Sequence, residues 1–496
     1  MSKVIIIGSG LGGLSCGYIL QKNGYDVTIL EQGSQTGGCL QCFSRKGVRF
    51  ETGMHFIGSA APGQTMDVLM RYFGMYDKVK LSPMDPQAYN CVSLAGQRFN
   101  FPVGREAFLE QMGSYFPAQK DALKRYLEIV DRISAASTLA SLSSDERDTA
   151  VNTRYQLLSI NEVLDELFSD PVLKNVLAGD IPLYSGELDK TPFAQHAFIM
   201  DFYNQSSYRI AGGSDSIADS LECSIKAMGG EVLTGKKVVK ILCDDSMSKG
   251  VETLDGSYYA ADWIISTVHP MRLMEMLDTK LIRPAFRNRI NSMPQTAGVF
   301  AVYLKFKENS MPYMNSNYFG YTGSSPWNCE HYSEAEWPKG LLYMHMCHEM
   351  QPLWAKSAVV LSYMDMSEVE RWKGTAIGRR GEEYEQFKKH KANILLAELE
   401  RQIPGTLDKV DSWWTSTPLT YLDYTGTEKG SMYGVAKDIN AGSAARVPYK
   451  TRIPNLLLAG QNVNSHGMLG VLVGTIVTCG ALVPANQLFA NIKDCL

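Results

Sequence analysis

The chain has 496 residues, enough for two or three domains and too many for one small binding module. Its 48 Lys and Arg stand against 52 Asp and Glu, a formal net charge of −4, which excludes a nucleic-acid backbone as the default partner. Hydrophobic residues at 45% and charged residues at 20% are the proportions of a folded chain and exclude extensive disorder.

Met1-Ser2-Lys3 runs straight into Val4-Ile5-Ile6-Ile7, four apolar residues that predict a strand buried on both faces, as in a parallel sheet covered by helices. The run is too short for the apolar core of a signal peptide and lacks a small-residue cleavage site, which predicts a cytoplasmic protein. The 10 cysteines are then expected as free thiols rather than a disulfide framework. Gly8-Ser9-Gly10-Leu11-Gly12-Gly13 follows, matching G-x-G-x-x-G through Gly8, Gly10 and Gly13. Leu14, Tyr18 and Ile19 recur at helical spacing, Asn23-Gly24 stops the helix, and Val27-Thr28-Ile29-Leu30 predicts a second strand ending at Glu31. In such a βαβ unit the glycines allow a tight turn and close approach of backbone to a pyrophosphate, whose charge sits at the helix N-terminus. Glu31, 23 residues after Gly8, is placed to accept a hydrogen bond from a ribose hydroxyl. The pattern predicts a bound dinucleotide.

After Glu31 the chain reads Gln32-Gly33-Ser34-Gln35-Thr36-Gly37-Gly38-Cys39, and later Phe50-Glu51-Thr52-Gly53-Met54-His55. An acid, a short spacer and Gly-Gly resemble the extended fingerprint of the FAD flavoproteins with two dinucleotide-binding domains, the group that holds amine oxidases and phytoene desaturases. Segment 50–55 resembles the desaturase branch. The resemblance implies FAD, held on this stretch by Gly8, Gly10, Gly12, Gly13, Glu31, Gln32, Gly37, Gly38 and Cys39. Tyr208-Arg209-Ile210-Ala211-Gly212-Gly213, with a helix through Ile217, Leu221 and Ile225, resembles the stretch after which a strand brings backbone to the adenine side, here at Val239. Residues 261–267 resemble the strand that closes this insertion. Near the end, Pro454-Asn455-Leu456-Leu457-Leu458-Ala459-Gly460-Gln461-Asn462-Val463 resembles a strand and turn that contact the ribityl chain. The helix beyond it would point its N-terminus at the flavin's pyrimidine edge, where about half a positive charge stabilises an anion. The implied contacts there are Gly460, Gln461, Asn462, Gly467, Leu469 and Gly470. With Thr417-Pro418-Leu419-Thr420 and Gly430-Ser431-Met432-Tyr433-Gly434, this end looks most like the retinol saturase branch of the phytoene desaturase-related flavoproteins. That branch has Asp where this chain has Asn462.

The implied fold is α/β, an FAD-binding two-dinucleotide-domain Rossmann-like fold with a discontinuous α+β substrate domain. Residues 1–75, 200–285 and 450–496 would form the FAD domain, and 76–199 and 286–449 the substrate side. The first insertion reads as helical: Leu123, Leu127, Val130 and Ser134 lie on one stripe, and 160–167 repeats the pattern. The second carries β-like runs at 299–304 and 359–363, expected to floor a pocket. Met311, Tyr313, Met314, Tyr318, Tyr321, Tyr343, Met344 and Met346 suit an adaptable apolar pocket, with ordinary core as the alternative for each. An amphipathic face over 108–126 is a candidate for peripheral membrane contact. The apolar stretch 469–483 falls short of the roughly 20 residues needed to span a bilayer, so no transmembrane helix is expected.

A flavin moves a hydride, and the protein must orient the substrate and manage a proton. Tyr433, His466 and His55 are the candidate proton-transfer residues, with packing or loop positioning as the alternative role of each. The implied activity is saturation, or in reverse desaturation, of a carbon-carbon double bond in a hydrophobic isoprenoid-, carotenoid- or steroid-like molecule. NADPH, NADH or another external electron donor is left open, as is the oligomeric state. An amine- or porphyrinogen-type FAD oxidase and a non-catalytic escort-type binder of prenylated partners are the rival readings. Cys39-x-x-Cys42 is open to a redox reading, but thiol pairs of flavin disulfide reductases sit elsewhere, and loop cysteines are preferred. His345-x-x-His348 offers only two ligands, so no metal is expected.

Overall fold

The computed structural model describes residues 1–136, 149–463 and 465–496. The first apolar run is the central strand, Lys3–Ile7, of a five-stranded parallel sheet. Its order is Glu231–Leu233, Asp26–Leu30, Lys3–Ile7, Trp263–Ser266, Leu456–Leu458. The unbroken hydrophobicity of that strand follows from cover on both faces. Val4 and Ile6 pack with Leu14, Ile19, Ile225 and Leu472, whereas Ile5 and Ile7 pack with Val251, Leu273 and Met274 on the other side. Small residues on the helix Leu11–Lys22 set how closely its neighbours approach. A Cβ on Gly12 would lie 2.9 Å from Gly460 Cα, and one on Gly17 would lie 2.7 Å from Ile29 Cδ1. The helices Asp215–Ala227 and Gly467–Cys479 complete this layer.

A second sheet has seven strands, ordered Val410–Ser416, Gly298–Phe306, Ser357–Met364, Gly340–His345, Asn317–Tyr321, Asn90–Leu94, Gln97–Phe101. All neighbours are antiparallel except Asn317–Tyr321 with Asn90–Leu94, which run parallel. The last two strands correct the all-helical reading of the first insertion: they form a hairpin turned by Ala95 and Gly96, both at positive φ. The helices expected there are present as Lys120–Ala135 and Ile160–Leu167, with Leu123, Leu127, Val130 and Ser134 buried. The apolar side chains over 108–126 turn inward: Phe108, Met112, Leu123 and Tyr126 are fully buried in the core cluster against the sheet. No helix among the described residues is long and apolar enough to cross a membrane.

Candidate active site

A cavity of about 810 Å³, within the usual range of ligand sites, opens beyond the C-terminal ends of the parallel strands and runs to the seven-stranded sheet. Ile7, Leu30, Thr267 and Gly460 mark the strand ends, and Val299, Leu342 and Met344 the sheet side. Open parallel sheets bind ligands at this edge because the turns there can bring backbone N–H groups and helix N-termini together.

The glycine fingerprint divides its labour. Gly8 has φ +98° and donates to Leu30 O at 2.9 Å, making the turn. A Cβ on Gly10 would meet nothing within 4 Å, and Gly10 lines the cavity, so the backbone there is open to a close-lying group. The helix Leu11–Lys22 starts at Gly10 with no side-chain cap, leaving its first N–H groups for an anion. Gly13 does not line the cavity. Its Cβ would lie 1.9 Å from Gly8 O, so its part is close packing of helix on strand rather than ligand contact. Glu31 lines the cavity and holds the loop: one carboxylate oxygen accepts from Ser9 N–H at 2.9 Å and Ser9 O–H at 2.7 Å, the other from Gly33 N–H at 2.7 Å. The second oxygen keeps a lone pair for a hydroxyl. Gln32, Gly37, Gly38 and Cys39 line the same wall, with Gly37 N–H donating to Ser9 O at 2.9 Å. Val239 lines the cavity as the extra residue of a bulge between Val238, paired with Thr253, and Lys240, paired with Glu252. A bulged residue is out of the ladder's pairing, which leaves its backbone available.

At the other end Gly460, at φ +93°, Gln461 and Asn462 line the cavity. Asn462 Oδ1 accepts from Val435 N–H at 2.9 Å, tying the turn to the segment that carries Tyr433 and leaving the amide nitrogen for a ligand. The helix Gly467–Cys479 has no side-chain cap and presents Gly467, Met468 and Val471 to the cavity. Leu469 and Gly470 do not line it, a correction that follows from the helical period. Leu469 packs toward the core, and a Cβ on Gly470 would press on Ser465.

The three proton-transfer candidates separate. His466 lies outside the cavity lining and is buried, its Nε2 2.7 Å from Gln195 Nε2. Burial, then the Lys437 charge, lowers its pKa to about 3, which makes it neutral and unsuited to donating a proton. Tyr433 lines the cavity, but its hydroxyl donates to Pro182 O at 3.1 Å and its ring lies 4.5 Å from that of His466. Burial raises its phenol above the ordinary 10.0. His55 lines the cavity with Nδ1 held 3.2 Å from Glu51 Oε2, so Nε2 remains for a ligand. Sequence reasoning missed two partners: Glu51, whose pairing with His55 is made by a loop, and Tyr203 in the helix Phe193–Gln205. Tyr203 lines the cavity and carries a hydroxyl with no partner among the described residues; no local signal marks it. Cys39 and Cys42 are free thiols. Burial pushes Cys39 up to about 11, and burial with the Glu51 charge pushes Cys42 up to about 12, the environment of inert loop cysteines rather than of a reactive pair.

A family model described as flavin containing amine oxidoreductase matches residues 11–474. All-trans-retinol 13,14-reductase of Rattus norvegicus is 26% identical over 97% of this chain and 86% of its own length. Prolycopene isomerase 1, chloroplastic, of an Oncidium hybrid cultivar is 22% identical over 94% and 82%. Among solved structures, an oxidoreductase from Methanosarcina mazei aligns with a TM-score of 0.66 at 17% identity, covering 96% of this chain and 99% of that one. The glycine crevice with its open Gly10, the acid at the tip of the second strand and the uncapped helices at both ends fit a flavin dinucleotide, and the family match runs from one of those helices to the other. This chain therefore belongs to the flavin-containing amine oxidoreductase family and is an FAD-dependent oxidoreductase.

Proposed function

We propose that the chain reduces a carbon-carbon double bond in a hydrophobic isoprenoid-like molecule, with desaturation as the same chemistry in reverse. The carrying observation is the far half of the cavity, walled by Met54, Phe56, Val299, Leu342, Met344 and Met432. The acidic lining residues are held by partners: Glu31 by Ser9 and Gly33, Glu275 by Arg272 and Asp423 by Arg380. Arg272 and Lys373 share Glu428, and Lys236 pairs with Asp255. An apolar chamber without a free carboxylate suits a polyene better than a protonated amine. The relatives named for retinol reduction and prolycopene isomerisation support the same class, whereas the family match bears on the cofactor and not on the substrate.

Bound FAD supplies the hydride. In our reading residues 1–75, 200–285 and 450–496 hold it, and 76–199 and 286–449 shape the chamber. Backbone at Gly8, Gly10 and Gly12 would cradle the diphosphate, Glu31 would take a ribose hydroxyl, and Val239 would offer backbone to the adenine. Gln461 and Asn462 would hold the ribityl chain, and the uncapped helix from Gly467 would offer its positive end to an anionic edge of the ring system. Tyr433 and His466, in tilted ring contact and both hydrogen-bonded, would brace the cavity wall rather than move a proton. His55 and Tyr203 are the groups able to move a proton at the chamber face. Reducing equivalents come from an external donor such as NADPH or NADH.

The test is direct. Purified holoenzyme is photoreduced without oxygen and mixed with all-trans-retinol in detergent micelles. Reoxidation of the flavin with one dihydro product per flavin is expected. A flavin that retinol leaves reduced while simple amines are oxidised with peroxide release overturns the reading, and a protein that takes up no FAD overturns its basis.

A further inference from the structure

Pro182 and Leu183 line the cavity. Two residues behind them Asp180 is 0% exposed, and neither of its carboxyl oxygens has a hydrogen-bond partner among the described residues. A buried acid in that state needs a reason. The sheet that packs on the turn before it carries further orphans, Asn90 Nδ2 and Asn317 Oδ1, and Tyr89 Oη at the start of that strand is electrostatically coupled to Asp180. Asn90 and Asn317 are paired in register, and Asn317 Nδ2 donates to Asn90 Oδ1 at 2.8 Å, which leaves one spare donor and one spare acceptor. Both residues share a sheet face with groups that touch the turn before Asp180. Val92, two residues after Asn90, lies so close to Gly179 that a Cβ there would sit 2.4 Å from its Cγ1. Tyr321, on the face of Asn317, donates to Gly179 O at 2.7 Å.

Spare donors and acceptors on a sheet face that packs against the turn of a buried, unpartnered carboxyl have the composition of an internal water site. The titratable groups electrostatically coupled to Asp180 are Tyr89, Tyr126, Tyr184, Tyr203 and Tyr321, all neutral phenols and no cation. Burial raises the Asp180 carboxyl to about 7, so it carries its proton through the acid side of neutrality. His196 adds a constraint. Its two ring nitrogens bond to Tyr126 at 2.8 Å and Tyr184 at 2.9 Å, and burial keeps the ring neutral, with a pKa of about 3. A neutral imidazole donates from one nitrogen only. One of these tyrosines must therefore pass its own O–H onward, and the orphaned acceptor in their surroundings is Asp180. Two members of the coupled set line the cavity, Tyr203 and Tyr321. Tyr321 spends its O–H on Gly179 O, whereas the Tyr203 ring lies 4.4 Å from that of Phe56 with its hydroxyl unspent.

We propose that Asp180 and the water held by its orphaned neighbours form an internal proton store, and that Tyr203 passes this proton to the substrate. The inference rests on the reading of function above. As hydride adds to one carbon of the double bond, the Tyr203 O–H bond breaks and a C–H bond forms at the neighbouring carbon. The phenolate recovers a proton from the Asp180 carboxyl, which is reprotonated from bulk water. His55, fixed by Glu51, then orients rather than donates. Tyr203 is the catalytic residue and Asp180 acts through it.

Photoreduced holoenzyme with the same retinol probe tests this against pH. Wild type is expected to lose rate above about pH 7. Asp180→Asn, with FAD occupancy unchanged, should be slowed at least tenfold with a flat profile, and Asp180→Glu should restore both rate and pH dependence. Tyr203→Phe should be slowed at least a hundredfold. Infrared difference spectra of the resting protein across pH 5–9 should show a protonated-carboxyl band in wild type that Asp180→Asn lacks. An active wild type whose Asp180→Asn or Tyr203→Phe variant keeps the full rate and profile, a His55→Asn variant that shows the hundredfold loss instead, or an absent acid band overturns this proposal alone. A wild type inert toward retinol overturns the reading of function and this proposal with it.

Discussion

Asp180→Asn removes an ionisable proton while keeping the shape of the side chain, and its effect on stability can be worked out. Burial lifts the folded carboxyl from 3.8 to about 7. Between those values the folded chain holds a proton that the unfolded chain has released, so wild-type stability falls as pH rises through that window and levels off above it. The window spans about three pH units at about 1.4 kcal/mol each, a ceiling of about 4 kcal/mol. The group is fully buried, so solvent screening calls for no discount. Asparagine carries no such proton. The stability of the variant relative to wild type should therefore rise by about 4 kcal/mol between pH 4 and pH 8.5, with most of the change complete by pH 7.5. Urea unfolding at fixed FAD concentration, followed by tryptophan fluorescence and by circular dichroism, measures the difference at each pH. Two curves that stay parallel across the range would show that Asp180 ionises freely, and the reasoning from its burial would fail.

Glu31→Ala releases Ser9 and Gly33 together and is expected to weaken FAD retention at least tenfold, read from flavin absorbance after dialysis; unchanged occupancy would displace the ribose assignment. Gly13→Ala drives a methyl against Gly8 O and should destabilise by about 3 kcal/mol, seen as a lowered unfolding midpoint with loss of bound FAD. Cys39 and Cys42, with thiols pushed up to about 11 and about 12, should resist iodoacetamide at pH 8 while the exposed Cys223 is alkylated; mass spectrometry of the labelled peptides decides it.

Much of the cofactor half was legible because its constraints are local. A buried parallel strand must be apolar throughout, a phosphate turn must lack side chains, and an acid must sit at the tip of the next strand, so Val4-Ile5-Ile6-Ile7, Gly8, Gly10 and Glu31 declare themselves along the chain. Gly13, Leu469 and Gly470 sit inside the same motifs, yet which residues of a motif face the ligand is decided by helical phase and by the neighbour each one packs on. His466 was misread for a related reason. A histidine just before a flavin-facing helix has the right address, but Gln195, 271 residues away, fixes its hydrogen bonding and burial removes its charge. The hairpin Asn90–Leu94 and Gln97–Phe101 was hidden because each strand is only five residues long and its partners are remote: it closes the edge of a sheet whose other strands come from residues 298–416. Tyr203, Asp180 and the Asn90–Asn317 pair gain their meaning from contacts between segments, which no one-dimensional spacing records.

The outermost strand of the parallel sheet, Leu456–Leu458, pairs with Trp263–Ser266, and Gly460 just beyond it closes against Gly12. On the ribosome, the opening segment must therefore wait for almost the whole chain before its crevice can be finished. Until residue 460 has emerged, Trp263–Ser266 is an unprotected apolar edge, a template for pairing with other chains. Holdase binding and FAD-dependent rescue of the newborn chain are expected at that late stage. Proteolytic removal of the segment after residue 455 should release FAD from a protein that otherwise keeps most of its sequence.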